Sequence, residues 1–213
     1  MKQLFYLGLF LSGIFLLRCD GSKLCYISCE DSLRPFSISW KSDIEARFPT
    51  VIVKFRYGNA AFLCQQAKLG VPTDLLILPE PNWIAKFGIR NQVVLLDSTA
   101  IGIVCPAKPS TNSFFLLPTH DQSLALSIQN NRLTAQQRNT FYVNTGDIIP
   151  QSLRKGVGKC AYLYEFQADI YQMPFQRITA KTTPIAMIIF RENPEIQDFL
   201  VSLAEKKRLF TAP

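Results

Sequence analysis

Residues 70–79 read Gly70-Val71-Pro72-Thr73-Asp74-Leu75-Leu76-Ile77-Leu78-Pro79. A turn signal gives way to a nearly continuous apolar run, Asp74–Leu78, closed by Pro79 and Pro81. Such a run, without polar alternation, marks a strand covered on both faces. Upstream, Leu24–Cys29 also reads as a strand. Asp31-Ser32 then starts a helix, with Pro35 tolerated in its first turn. Its apolar positions Leu33, Phe36, Trp40, Ile44 and Phe48 recur every three or four residues. Val51–Phe55 is a strand, and Tyr57-Gly58-Asn59 is a turn. Asn59 caps a helix over Ala60–Leu69, which Gly70 stops. A short helix around Trp83–Phe87 and a strand Gln92–Leu96 follow. This β-α-β-α-β order predicts an α/β fold built on a parallel sheet buried on both faces.

The pattern then restarts. Ala100–Cys105 is a strand, and Pro106–Asn112 is a break. Beyond it come strand Phe114–Leu117, helix Asp121–Asn130, strand Thr140–Val143, helix Ile148–Lys155 and strand Cys160–Tyr164. Pro184–Phe190 is a strong strand. A last helix begins at Asn193-Pro194, with Ile196, Phe199, Leu200 and Leu203 on one face. Lys206, Lys207 and Arg208 suit the negative end of its dipole.

Composition sets outer bounds. A chain that is 48% hydrophobic and 18% charged is not a disordered one. One uncharged apolar run, Leu4–Leu17, argues against a polytopic membrane protein and has the length of an export signal. It ends in Leu16-Leu17-Arg18-Cys19, which resembles a bacterial lipobox with Arg18 in place of a small residue. Cys19 would then be lipidated, and the periplasmic face of a membrane is the expected location. Removing residues 1–18 takes away Lys2 and Arg18, lowering the net charge from +7 to +5. That excess suggests an anionic partner without naming one.

The remaining cysteines, Cys25, Cys29, Cys64, Cys105 and Cys160, read as buried small apolar residues in preference to bridge partners. No pair is named by the sequence. Cys25 and Cys29, about 13 Å apart along one strand, cannot bridge each other. With no CxxC and a single histidine, His120, no metal centre is expected.

These segments carry a family resemblance. Leu24–Leu78 resembles the start of a periplasmic molybdate-binding protein. That family has a strand, Ser-Leu at a helix start (here Ser32-Leu33), and a Gly-Ser-Ser-Gly-like turn (here Tyr57-Gly58-Asn59-Ala60-Ala61). A Gln- and Ala-containing helix and Gly-x-Pro-x-Asp before the third strand follow (here Gly70–Leu76). Gln151–Tyr164, Pro184–Phe190 and Asn193–Leu203 resemble later parts of the family in the same order. The resemblance implies a two-lobed, type 2 periplasmic-binding-protein-like fold, with two small α/β sheets joined by two crossover segments. Residues 1–19 would be the lipoprotein signal, 24–103 lobe 1, 104–183 lobe 2 and 184–213 the return to lobe 1.

It also implies a function: an extracytoplasmic, lipid-anchored monomer feeding an ABC permease in the inner membrane. The ligand would be a tetrahedral oxyanion, molybdate- or tungstate-like, with no cofactor, no catalytic residue and no nucleic-acid partner. Helix N-termini and neutral hydroxyls hold such an ion. The matching positions are Ser32, Asn59, Ala60, Ser123, Ile148 and Tyr164. Each also has a plain structural role. Ser32 and Asn59 can be caps, Tyr164 can pack at a strand end, and Ser123 and His120 can simply open a helix. Ala60 stands where the family has a second serine, which removes a donor. An acid at the mouth, Asp121 or Asp147, would oppose a dianion unless it points away. These departures motivate an alternative, an envelope interaction protein on the same fold without a small ligand. An exported enzyme is a weaker alternative. There is no GxSxG or HExxH, and only Cys29 or Cys64 with His120 could form a nucleophilic pair.

Overall fold

The computed structural model describes residues 23–105, 114–131, 140–143 and 148–205. The export segment with Cys19, the break at 106–112, Asp147 and the basic triplet 206–208 lie outside the described residues.

Strand β1 (Lys23–Glu30) runs parallel to β2 (Val51–Gly58) and β3 (Leu75–Pro79), with Ile27 opposite Phe55 and Leu75. All five residues of β3 are buried, as its apolar run requires. Between β1 and β2 lie a 3₁₀ turn, Asp31–Leu33, and helix α1 (Arg34–Arg47). The helix therefore starts later than Asp31-Ser32. Pro35 sits in its first turn, and no side chain caps it. Its inner face is Phe36, Trp40 and Ile44, at the expected helical spacing. Helix α2 (Ala60–Lys68) is capped as expected, Asn59 Oδ1 accepting from Phe62 N at 2.7 Å. Gly70, with φ +79°, ends that segment in the left-handed region.

Helix α3 (Asn82–Lys86) leads into β4 (Gln92–Val104), one strand where the sequence suggests two. Beyond it lie β5 (Phe115–Pro118), α4 (Ser123–Asn130), β6 (Thr140–Val143), α5 (Ile148–Arg154) and β7 (Cys160–Tyr164). Helix α6 (Glu165–Ile170), which the sequence does not suggest, follows β7 without a turn. Strand β8 spans Phe175–Ile189, and α7 spans Pro194–Glu205. The first half of β8 is not anticipated either. Its half-exposed Phe175–Thr182 stretch lacks the apolar signal of Pro184–Ile189.

The strands form one sheet in the order β2-β1-β3-β8-β4-β7-β5-β6. One sheet thus stands where two small ones joined by crossover segments are expected, and the long strands β4 and β8 pair antiparallel at its middle. Register shifts between Leu95 and Asp97 and between Ala100 and Gly102 bend that pairing. At the second shift only glycine fits. A Cβ at 102 would meet the Phe175 ring at 2.5 Å and the Gln176 carbonyl at 2.6 Å.

The expectation of unpaired cysteines fails at one pair. Cys105 and Cys160 form a disulfide, with Cα atoms 4.2 Å apart. The antiparallel register Val104↔Ala161 brings them opposite each other, a relation that only tertiary pairing creates. Cys25, Cys29 and Cys64 are free and buried, as expected.

The main apolar cluster does not stop at either end of the sheet. It joins Ile27, Leu33, Phe36 and Trp40 to Leu124, Tyr164 and Phe166. Phe36 meets the Phe166 ring edge-on at 5.6 Å. On the other side of α4, Leu126 packs with Ala60, Leu63, Cys64 and Leu76. Helix α4 is thus wedged against the β2-β1-β3 end by buried leucines, each contributing roughly 1.5–3 kcal/mol.

Candidate functional site

In α/β sheets, ligand sites form beyond the carboxyl ends of parallel strands, where backbone donors converge. Here that region is the seam between the end of β1, the end of β3 and the start of α4. Glu30, the last residue of β1, points into it and is 3% exposed. Its Oε2 accepts from the Ser32 hydroxyl at 3.1 Å. Its Oε1 accepts from the backbone N–H of Ser123 at 2.8 Å. Ser123 is the first residue of α4, so its N–H belongs to the free donors at the positive end of a helix dipole. A hydroxyl from one end of the sheet and an amide from the other thus grip a single carboxylate.

The seam has further ties. Asn59 Nδ2 donates to Asp121 Oδ2 at 2.6 Å, and Ala61 N donates to the Asp121 carbonyl at 3.0 Å. Thr119 also donates to the Asp121 carboxylate. Asp121 is therefore occupied by donors on both sides. Ser127 Oγ donates to Glu80 Oε2 at 3.2 Å and shares a bond of 3.2 Å with the Tyr164 hydroxyl. Glu80, just after β3, holds a left-handed φ of 57°, which a non-glycine residue adopts at a cost of order 1 kcal/mol or more.

The predicted site residues divide accordingly. Ser32 and Ser123 meet at Glu30. Asn59 lies along the same seam, but its amide group is taken up by the α2 cap and Asp121. Ala60 is fully buried in the α2 cluster. Tyr164 is also fully buried, its hydroxyl on Ser127. Ile148 is 45% exposed at the start of α5 and takes no part in these bonds. His120 is exposed, its ring 5.7 Å from that of Tyr142. Sequence reasoning misses Glu30, Glu80 and Ser127. Adjacent acids, Glu30-Asp31, at the end of an apolar strand are the available signal.

Burial dominates the electrostatics. It pushes the Glu30 carboxyl up to about 7, although the Ser123 N–H and Ser32 hydroxyl pull it back. Burial, then the Glu30 charge, also raises the Cys29 thiol and pushes the Cys64 thiol up to about 12. Tyr164 is held well above the ordinary phenol range by the same two causes. Thiols raised this way are poor nucleophiles, so the Cys–His pairing gains no support. Among the described residues, no three His, Cys, Asp or Glu side chains are grouped to hold a metal ion. No described helix is long and apolar enough to cross a membrane.

No protein-family model and no curated protein matches the chain. Solved structures do. The reduced form of the OxyR2 regulatory domain from Vibrio vulnificus superposes at TM-score 0.66 with 14% identity, over 87% of this chain and 95% of its own. A protein from Clostridium perfringens, described as a phosphate ABC-transporter substrate-binding protein with bound phosphate, gives TM-score 0.68 at 8% identity, over 87% and 95%. A Clostridium difficile domain, described as the substrate-binding domain of a molybdenum ABC transporter, gives 0.57 at 11% identity, over 88% and 92%. At such identities the likenesses speak for architecture alone. The chain has an α/β fold of the type II periplasmic-binding-protein class, a curled sheet flanked by helices.

Proposed function

We propose that the chain is a non-enzymatic, extracytoplasmic solute-binding protein whose two lobes hold a small oxyanion at the β1–α4 seam. The observation that carries this reading is the convergence of the Ser32 hydroxyl and the Ser123 N–H on one carboxylate. Donors of this type suit an anion and need no net positive charge. Molybdate, tungstate, sulfate and phosphate are the candidate ligands, and an ABC permease that reads the closed form is the candidate partner. Attachment through a lipid on Cys19 would place the protein at the periplasmic face of the membrane.

Calorimetry of the full chain with each of the four oxyanions tests the proposal. Saturable binding of any one supports it, and silence from all four refutes it. A second reading has its own support, because the seam is packed by a shared apolar cluster and its donors already have acceptors. On that reading the protein is an envelope interaction protein with no small ligand, and silence is the expected result.

A further inference from the structure

Strand β2 closes one end of the sheet, and the first half of β4 forms a second open edge inside it, because β7 pairs with β4 only from Ile101 onward. The two edges differ. On β2 the Val51 amide donates to the Phe48 carbonyl at 2.9 Å, and the Val53 amide donates to Glu45 Oε1 at 3.2 Å. The exposed Lys54 stands beside them. Occupied amides and a lysine keep an edge from pairing with another chain. The β4 edge has no such cover over Gln92–Leu95.

The direction of the β4 amides follows from β8. The Pro184 carbonyl accepts from Glu80 N, and Phe190 N donates to the Asp74 carbonyl. Even-numbered residues of this stretch therefore turn their backbone groups toward β3, and Met187 and Ile189 turn theirs toward β4. Their partners there are Val94 and Gln92. Val93 and Leu95 consequently point N–H and C=O away from β8, and nothing among the described residues bonds to them. At Ser98, the next such position, the amide donates to Asp97 Oδ1 at 2.7 Å and the open stretch ends. The side chains of Val93 and Leu95 are 43% and 66% exposed, while Val94 and Leu96 pack into the main cluster and hold the segment in place.

We propose that this edge is a self-association surface: two copies of the chain pair their β4 segments antiparallel about a twofold axis at Val94, so that two sheets become one. In this register Val93 of each copy lies opposite Leu95 of the other. The amides and carbonyls of these residues satisfy one another, and their exposed side chains cover one another. Charge complementarity selects a second copy running antiparallel. The exposed Arg90 precedes the segment and the exposed Asp97 follows it. Antiparallel pairing sets Arg90 of each copy beside Asp97 of the other, whereas parallel pairing would set like charges together. The contact uses the same patch on both copies and therefore closes at two. It is independent of any ligand at the Glu30 seam and puts a reversible dimer where the family resemblance implies a monomer.

Sedimentation equilibrium of the full chain in a density-matched mild detergent, over a range of concentrations, tests the proposal. Wild type is expected to follow a monomer–dimer equilibrium. Leu95→Lys should weaken it about tenfold or more with an unchanged melting temperature, since the lysine meets the partner's apolar edge and nothing in its own core. Val93→Pro should also weaken it, because proline on an open edge deletes only the outward amide. Arg90→Asp should weaken the dimer by placing two carboxylates together, and adding Asp97→Arg to that variant should restore it. A wild type that stays monomeric throughout overturns the proposal. So does an oligomer that survives Leu95→Lys undiminished, such as one joined through Leu4–Leu17, or an assembly that grows beyond two. If Val93→Pro does not fold, Leu95→Lys and the charge exchange carry the test, and an exchange that fails to restore the dimer overturns the antiparallel pairing.

Discussion

Replacing Glu30 by glutamine should change how stability depends on pH, in a direction that the geometry dictates. Burial raises the folded-state pKa of Glu30 from 4.5 to about 7. The unfolded chain gives up the proton first as pH rises, so the folded state holds one more proton between these values. The contribution from Glu30 is fully present below about 4.5 and is lost as pH rises through about 7. At about 1.4 kcal/mol per pH unit, the interval corresponds to roughly 3 kcal/mol.

Three of the groups around Glu30 do not blur this window, because Cys29, Cys64 and Tyr164 are raised and stay neutral through it. The Asp31 charge is one of the causes that raise Glu30, so the difference between the two proteins includes that repulsion. Glutamine keeps an oxygen for the Ser123 N–H, and the Ser32 hydroxyl can turn to accept from its amide. Urea unfolding of wild type and Glu30→Gln at a series of pH values from about 4.5 to about 8 reads the effect. The stability of the variant relative to wild type should rise by about 3 kcal/mol across that range. A difference that is flat, or that falls with pH, would refute the assignment of Glu30 as a buried carboxylate held against its desolvation.

Further outcomes test the scaffold. Gly102→Ala should destabilise the protein by about 1–3 kcal/mol in chemical denaturation, because the Phe175 ring and Gln176 carbonyl leave no room for a methyl group. Cys105→Ser should cost about 2–4 kcal/mol under oxidising conditions and nothing extra in reductant, since the disulfide spans 55 residues of chain. Asn59→Ala should cost about 1–2 kcal/mol, because it removes both the α2 cap and the tie to Asp121. A Cys19→Ala protein expressed in bacteria should lose membrane fractionation if Cys19 is the lipid anchor. Retention in the membrane fraction would argue for an uncleaved apolar helix instead.

How much of this is legible in the sequence depends on how local each signal is. The α1 stripe of Phe36, Trp40 and Ile44, the Asn59 cap and the buried run of β3 are decided by neighbours in the chain, and sequence and structure agree on them. The first half of β8 escapes notice because Phe175–Thr182 is largely polar. It is a strand because β4 lies beside it. Helix α6 escapes because it follows β7 directly, with no glycine or proline to announce a change. The disulfide depends on the register of β4 against β7, which spacing along the chain cannot supply.

The site shows the same division. Ser32 and Ser123 stand out because helix starts carry polar residues, and the structure brings them together. What stands between them does not stand out. Glu30 is two residues from Ser32 in a turn that sequence alone reads as capping, and its second partner is 93 residues away. Tyr164 reads as a cleft donor, but the packing of α4 buries its hydroxyl against Ser127.

The central claim is that Glu30 is a buried carboxyl held across the seam by Ser32 and Ser123. The most direct test is the carboxyl resonance of Glu30 in protein labelled with ¹³C-glutamate, assigned by its loss in Glu30→Gln. The account predicts titration near pH 7 and a saturable change in that resonance as phosphate or molybdate is added. Titration near the ordinary value of 4.5, with no response to either anion, would contradict it.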